Sequence, residues 1–452
     1  MSVLAIVLVN VATTVFSLTL VVPMFAASAI ALVSGFPQMS RSFRKASIIF
    51  LVLGLALLAL GRHPLNIWME SAGSMTNIIA IVTIMQIFTV PIKVGEYDTA
   101  IKSWMEGRFQ KRTSLFLLTT LTTHILTSFL NMGSIPVMVS LFGPTLKDRF
   151  SDWQRFFAQA TTRGYVLAAL WAPGAINIYL IVQATGLSWS RVFIPGIIIA
   201  VLGMGLSTLM ELGSREGTTL PADKLKTDYT DKRLSRVERG RVAQVLVVAV
   251  LFVVVVALMD RFGIGASSGR SVLAGALIAL GWTLTLSGKP GIPGAFAEYW
   301  REGTLKVADI APFFVAMGIF STGIEGSGFL ELAGPVLRSI SLYLGGASVI
   351  LIALLIVATS LVGLHPFITI VLFGKILAYT ALPISPLTVA LSLSVGSVTA
   401  YMVTPFAGVI MAIAKSIEVR TIDVAFNWNW RFCAIFFVVT TIFAFIWGGY
   451  FG

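Results

Sequence analysis

The chain has 452 residues, of which 57% are hydrophobic and 12% charged, and its formal net charge is +12. That balance excludes an ordinary soluble domain and predicts residence in a lipid bilayer. The single Cys433 excludes an intramolecular disulfide and a cysteine metal cluster, and His63, His124 and His365 are too few and too scattered for a zinc motif.

The positive charge reads as membrane topology, not as a nucleic-acid surface. Most Lys and Arg residues fall in segments 41–45, 93–112, 147–163, 215–241, 289–306 and 415–431. These segments can all lie on the cytoplasmic side at once, as the positive-inside rule requires. A multi-pass protein of a bacterial-type inner membrane is predicted. Its N-terminal apolar stretch of about 35 residues is too long for a secretory signal.

In chain order, residues 1–36 supply one long tilted span or two short ones. Residues 47–61 cross outward, and 76–94 cross back. Residues 95–112 mix aromatic and basic side chains, as expected of a helix lying in the interface. Residues 113–146 then form two apolar arms around the polar tip Asn131-Met132-Gly133-Ser134. Basic segments on both sides forbid a single crossing, so a re-entrant hairpin is predicted, followed by a basic loop at 147–163. Non-helical backbone at that depth requires cover by protein or a water-filled cavity. Residues 164–187 cross outward with a break at Pro173-Gly174, and 192–210 return.

Residues 213–241 read as a polar cytoplasmic linker between a first unit, 1–212, and a second, 242–452. The second unit repeats the plan: spans at 242–260, 272–287 and from 311 onward, and an interfacial segment at 325–343. A hairpin at 346–382, tipped by Gly363-Leu364-His365-Pro366, and a helix at 387–415 broken at Thr404-Pro405 follow. Residues 428–447 form the last span. Three echoes support the repeat: Ile87–Tyr97 with Ile319–Phe329, Thr127-Ser128 with Thr359-Ser360, and Ala172–Ala175 with Thr404–Ala407. All share one offset of about 232 residues, which points to an internal duplication. The basic loops give the units opposite orientation. The predicted fold is all-α and polytopic, with two inverted five-span repeats, each carrying a hairpin and a broken helix, in about ten spans plus two hairpins.

Chemistry is expected at the tips and the breaks. Helix ends that stop at mid-membrane carry unpaired backbone groups and partial charge. Ser128, Asn131 and Ser134 add polar side chains at the first tip, and His365 does so at the second. Proline frees a carbonyl inside a helix, which makes Pro173 and Pro405 candidates for ion coordination. Asn177 and Thr404 lie beside the breaks, whereas His124 reads as an interhelical hydrogen-bond residue. Acidic residues deep in a span are lacking, which favours an anionic or neutral solute over a cation. No P-loop lysine motif, HExxH or nucleophile–base set is found, so an ATP-driven pump and an enzyme are both disfavoured.

Two oppositely entering hairpins, each followed by a broken helix, resemble the ion transporter superfamily. That group includes divalent-anion/Na⁺ symporters, citrate and arsenite permeases, and the large subunits of tripartite (TRAP) transporters. The resemblance implies a homodimer with a rigid scaffold and a mobile transport domain that moves by an elevator-like shift. It implies tip roles for Asn131, Gly133 and Ser134 and for Gly363, His365 and Pro366. It also assigns the helix breaks to Ala172, Pro173 and Gly174 and to Thr404 and Pro405. The function expected is secondary transport of a small organic or inorganic anion coupled to Na⁺ or H⁺, with no cofactor beyond a coupling ion. A binding-protein-dependent tripartite subunit and a lipid flippase are the alternatives.

Overall fold

The computed structural model describes residues 2–16, 20–39, 41–97, 111–213, 236–286, 291–303, 307–308, 310–325, 327–379 and 382–452. These residues form helices and no β-strand, as a bilayer demands of a chain that must satisfy its own backbone. Eight helical stretches among the described residues are long and apolar enough to cross a membrane. The protein is an all-α polytopic membrane protein.

The elements, in order, are α1 (Ser2–Phe16), α2 (Val21–Gly35), α3 (Arg41–Leu60), α4 (Leu65–Gly73), α5 (Thr76–Ile87), α6 (Thr89–Val94), α7 (Arg112–Leu130) and α8 (Ser134–Arg149). Next come α9 (Trp153–Ala168), α10 (Ile176–Thr185), α11 (Trp189–Leu212), α12 (Arg236–Arg261), α13 (Ser267–Thr285), α14 (Ile292–Glu298) and α15 (Ala311–Glu325). The chain ends with α16 (Phe329–Leu344), α17 (Ser348–Leu361), α18 (Pro366–Tyr379), α19 (Pro386–Val403), α20 (Gly408–Ser416) and α21 (Trp430–Phe451).

The N-terminal apolar stretch is two helices. Residues 98–110 of the expected interfacial segment and 214–235 of the expected linker lie outside the described residues. The 147–163 segment is not a loop: α9 takes up its second half, so the first broken helix starts at Trp153 and its break spans 169–175. The reason is Arg163, whose charge reads as solvent-facing in sequence but which is only 2% exposed. Its Nε donates to Asn429 Oδ1 at 3.0 Å and its Nη1 to Ser207 Oγ at 3.1 Å, and its guanidinium lies 4.5 Å from the centre of the Phe432 ring. Glu211, just before the expected linker, is buried at the end of α11 and accepts from Arg112 Nε at 2.5 Å. The two remaining Arg112 nitrogens fork onto Asp152, both at 2.8 Å. This geometry ties the start of α7, the α8–α9 joint and the end of α11 together.

The same packing occurs twice. Helix α9 lies on α7, and α19 lies on α17; α10 packs on α18 and α19, while α20 packs on α8 and α9. Outside this group, α3 packs on α15 and α13 on α5. Exchanging first-half for second-half helices turns each pair into the other. Helix α19 is buried on every side from Leu387 to Val403, so it sits at the centre of the bundle.

Glycine sets the closest of these contacts. A methyl on Gly164 of α9 would stand 2.4 Å from the Thr120 carbonyl oxygen of α7. At the equivalent repeat position, a methyl on Gly396 of α19 would stand 2.7 Å from the Ala353 carbonyl oxygen of α17. Only glycine lets the helix backbones approach this far.

Candidate functional site

Each hairpin turns through a residue of positive φ, Asn131 (φ 49) at the first tip and Gly363 (φ 99) at the second. These two occupy the same repeat position. Glycine takes a positive φ freely, whereas Asn131, with ψ −125, lies outside the left-handed helical region that asparagine tolerates and is strained there. A threonine one turn earlier in each hairpin reaches across to the returning arm. Thr127 Oγ1 lies 2.9 Å from Ser134 Oγ, and Thr359 Oγ1 lies 3.1 Å from Thr369 Oγ1. Ser134 Oγ also donates to the Asn131 carbonyl at 2.7 Å, closing the first turn. At the second tip the Phe367 N–H donates to His365 Nδ1 at 3.2 Å, so the imidazole caps α18.

The first break is held from outside. Trp171 Nε1 donates to His124 Nε2 at 2.9 Å, which puts the imidazole proton on Nδ1, 3.2 Å from the Gly164 carbonyl. Trp189 Nε1 donates to the Trp171 carbonyl at 3.0 Å. At the second break Thr404 Oγ1 donates to the Ser360 carbonyl at 3.0 Å, joining the break to the hairpin.

Both tips and both breaks meet at one cavity of about 400 Å³. Asn131, Met132, Gly133 and Pro136 line it from the first hairpin, and His365 and Phe367 from the second. Ala172, Ala175, Ile176 and Asn177 line it at the first break, and Gly408 and Val409 at the second, with Phe43 and Gln86 from α3 and α5. The lining is largely apolar and includes no Lys, Arg, Asp or Glu among the described residues. Phe43, Phe367 and Tyr401 surround the His365 ring, with centroids 5.5, 4.5 and 5.7 Å away.

Of the residues expected from sequence, Asn131, Gly133, Ala172, Asn177 and His365 line this cavity. Ser128, Ser134, Gly363, Pro366, Pro173, Gly174, Thr404 and Pro405 are not among its lining residues. Ser128 Oγ turns back to the His124 carbonyl at 2.9 Å. A methyl on Gly174 would stand 2.7 Å from Met85 Sδ, so that glycine serves close packing against α5.

Two tyrosines escaped the sequence reading. The Tyr165 hydroxyl donates to Asn131 Oδ1, bonding α9 to the first tip. Tyr401 faces the same space from α19, and its hydroxyl has no hydrogen-bond partner among the described residues. A tyrosine inside an apolar run carries no sequence signal, but the offset did: Tyr401 stands one repeat after Ala169, and both line the cavity. Three further pairs share that property: Gly133 with His365, Ile176 with Gly408, and Asn177 with Val409. The cavity is therefore lined by residues of both halves, including four pairs separated by the one offset.

Two hairpins and two interrupted helices thus surround one shared cavity. Solved structures share the fold. The crystal structure of the YdaH transporter of Alcanivorax borkumensis, described as having an unusual topology, aligns at a TM-score of 0.57 and 15% identity. It covers 90% of this chain and 98% of that one. MtrF of Neisseria gonorrhoeae, whose structure is described as illuminating a class of antimetabolite efflux pumps, aligns at 0.57 and 13%, covering 90% and 96%. No family model matches the chain, and neither does any curated protein.

Proposed function

We propose that the protein is a secondary active transporter of a small organic solute, related in architecture to the ion transporter superfamily. The observation that carries this reading is the single cavity on which both hairpin tips and both helix breaks converge. Its volume suits a small organic molecule. The apolar lining favours an organic over an inorganic cargo. Helices α10 and α20 both begin at the cavity wall, and neither first turn is capped by a side chain. Their free N–H groups and positive dipole ends favour a cargo with a negative or hydrogen-bond-accepting group.

The reciprocal packing of the halves supports an inverted repeat, and that symmetry supports alternating access by an elevator-like movement. In this reading α7–α11 and α17–α21 move against the remaining helices. The chain works in a bacterial inner membrane as a homodimer, and a Na⁺ or H⁺ gradient drives the movement. The fold likeness to two transporters agrees with this assignment.

The test is flux in liposomes holding only the purified protein, with radiolabelled organic acids and amides and an imposed Na⁺ or pH gradient. Gradient-dependent uptake or efflux is expected. Flux that requires an added soluble binding protein, or no flux under either gradient, overturns the stand-alone transporter.

A further inference from the structure

Asn177 is the second residue of α10 and only 2% exposed, yet neither Oδ1 nor Nδ2 has a hydrogen-bond partner among the described residues. Its residue lines the cavity. A buried side-chain amide with both ends open is rare, because each unpaired group loses its hydration without return. Exchange of oxygen and nitrogen in the assignment changes nothing, since both are unpaired. The equivalent residue of the second half is Val409, which lines the same cavity without a polar atom. The repeat therefore does not need an amide here to hold its shape.

We propose that Asn177 selects the cargo by pairing with a group that offers a donor and an acceptor side by side: a carboxamide, lactam or ureido group. Nδ2 meets the cargo carbonyl together with the uncapped first-turn N–H groups of α10, and Oδ1 accepts the cargo N–H. A carboxylate accepts at both oxygens. It satisfies Nδ2 but sets lone pairs against Oδ1, with no Lys or Arg among the described lining residues to offset that repulsion. Tyr401 supplies a second unpartnered polar group, a hydroxyl, which rotates to donate or accept. The ring cluster of Phe43, His365 and Phe367 receives the apolar remainder of the molecule. This inference rests on the cavity being the substrate site and narrows the headgroup from a negative or hydrogen-bond-accepting group to a neutral donor–acceptor.

The test is thermal unfolding of the full chain in detergent against isosteric pairs, benzamide with benzoate and valeramide with valerate. A ligand that binds only the folded protein raises its midpoint. The amide member is expected to bind at least about tenfold tighter. Asn177→Val, which installs the residue native to the equivalent position, is expected to bring each pair within about twofold. Equal or tighter carboxylate binding, an amide preference that survives Asn177→Val, or no binding of any member overturns the inference. The wild-type comparison stands without the variant if that chain does not fold. Because binding is read without flux, bound amide with no transport sinks the transporter reading and leaves this inference standing.

Discussion

Trp171 and His124 are joined by an indole N–H that donates to Nε2 at 2.9 Å, and the opposite ring nitrogen faces the Gly164 carbonyl. One imidazole thus fastens the interrupted helix to the first hairpin arm. His124→Ala leaves the Trp171 N–H without its acceptor and opens a void. A loss of about 2–4 kcal/mol is expected, read as a lower unfolding midpoint in detergent. Trp171→Phe removes the donor and leaves Nε2 unpaired, so a smaller loss is expected.

The glycines at the closest helix crossings make a sharper case. Gly164→Ala and Gly396→Ala each drive a methyl into backbone and are expected to abolish folded protein in size-exclusion chromatography. Gly133→Ala is the control: its methyl would meet only Leu130 Cβ at 3.7 Å, so the fold is expected to survive. Normal yield of both crossing variants would refute the close approach.

Asn131 holds a positive φ and accepts the Tyr165 hydroxyl. Asn131→Gly relieves the backbone but removes the acceptor, and a stability change within about 1 kcal/mol is expected. Asn131→Ala keeps the strain and loses the acceptor, costing about 2 kcal/mol more than Asn131→Gly. Flux is expected to fall in both. Wild-type flux in Asn131→Gly would remove this side chain from the transport site.

Buried Arg163 presents a fixed fork to Asn429 and Ser207. Arg163→Lys keeps the charge but not the fork, and a loss of about 2–4 kcal/mol is expected in thermal or denaturant unfolding. A variant with an unchanged midpoint would show that charge alone suffices.

Outside the spans, the Arg420 guanidinium donates twice to the Asp423 carboxylate, both at 2.8 Å, and Asn427 donates once at 2.7 Å. These bonds, those of Arg420 first, hold the Asp423 carboxyl below its usual 3.8. A lowered folded-state value contributes stability above the unfolded value, and that stability is lost as pH falls toward the folded one. The acid limb of stability below 3.8 is expected to be shallower in Asp423→Asn, measured by unfolding midpoint against pH.

The hairpins and breaks were legible because apolar arms divided by a polar tip, and a proline inside an apolar run, admit few other readings. The offset of the repeat carries over to the helix starts: Ser134 and Pro366 open the returning arms, and Ile176 and Gly408 reopen the broken helices. The site was legible only in part. Asn131, His365 and Asn177 stood out as polar residues in apolar surroundings, whereas Ser128 and Ser134 did too but spend their hydroxyls on nearby backbone and side-chain groups. Tyr165 and Phe43 reach the cavity through tertiary packing alone. Arg163 was misplaced because an isolated basic residue near other basic residues looks cytoplasmic until Asn429 and Phe432, far along the chain, arrive to cover it.

The twin glycine crossings also bear on how the molecule deforms. Where backbone rests on backbone there is no compressible layer of side chains, so α7 cannot slide along α9, nor α17 along α19. Each hairpin arm and its interrupted helix form a welded cassette. Any slip plane must run between these cassettes and the layer built by α3, α5, α13 and α15. Because Phe43 of α3 and Val82 and Gln86 of α5 also line the cavity, such a slip would keep a cargo's contacts to the cassettes and exchange those to that layer.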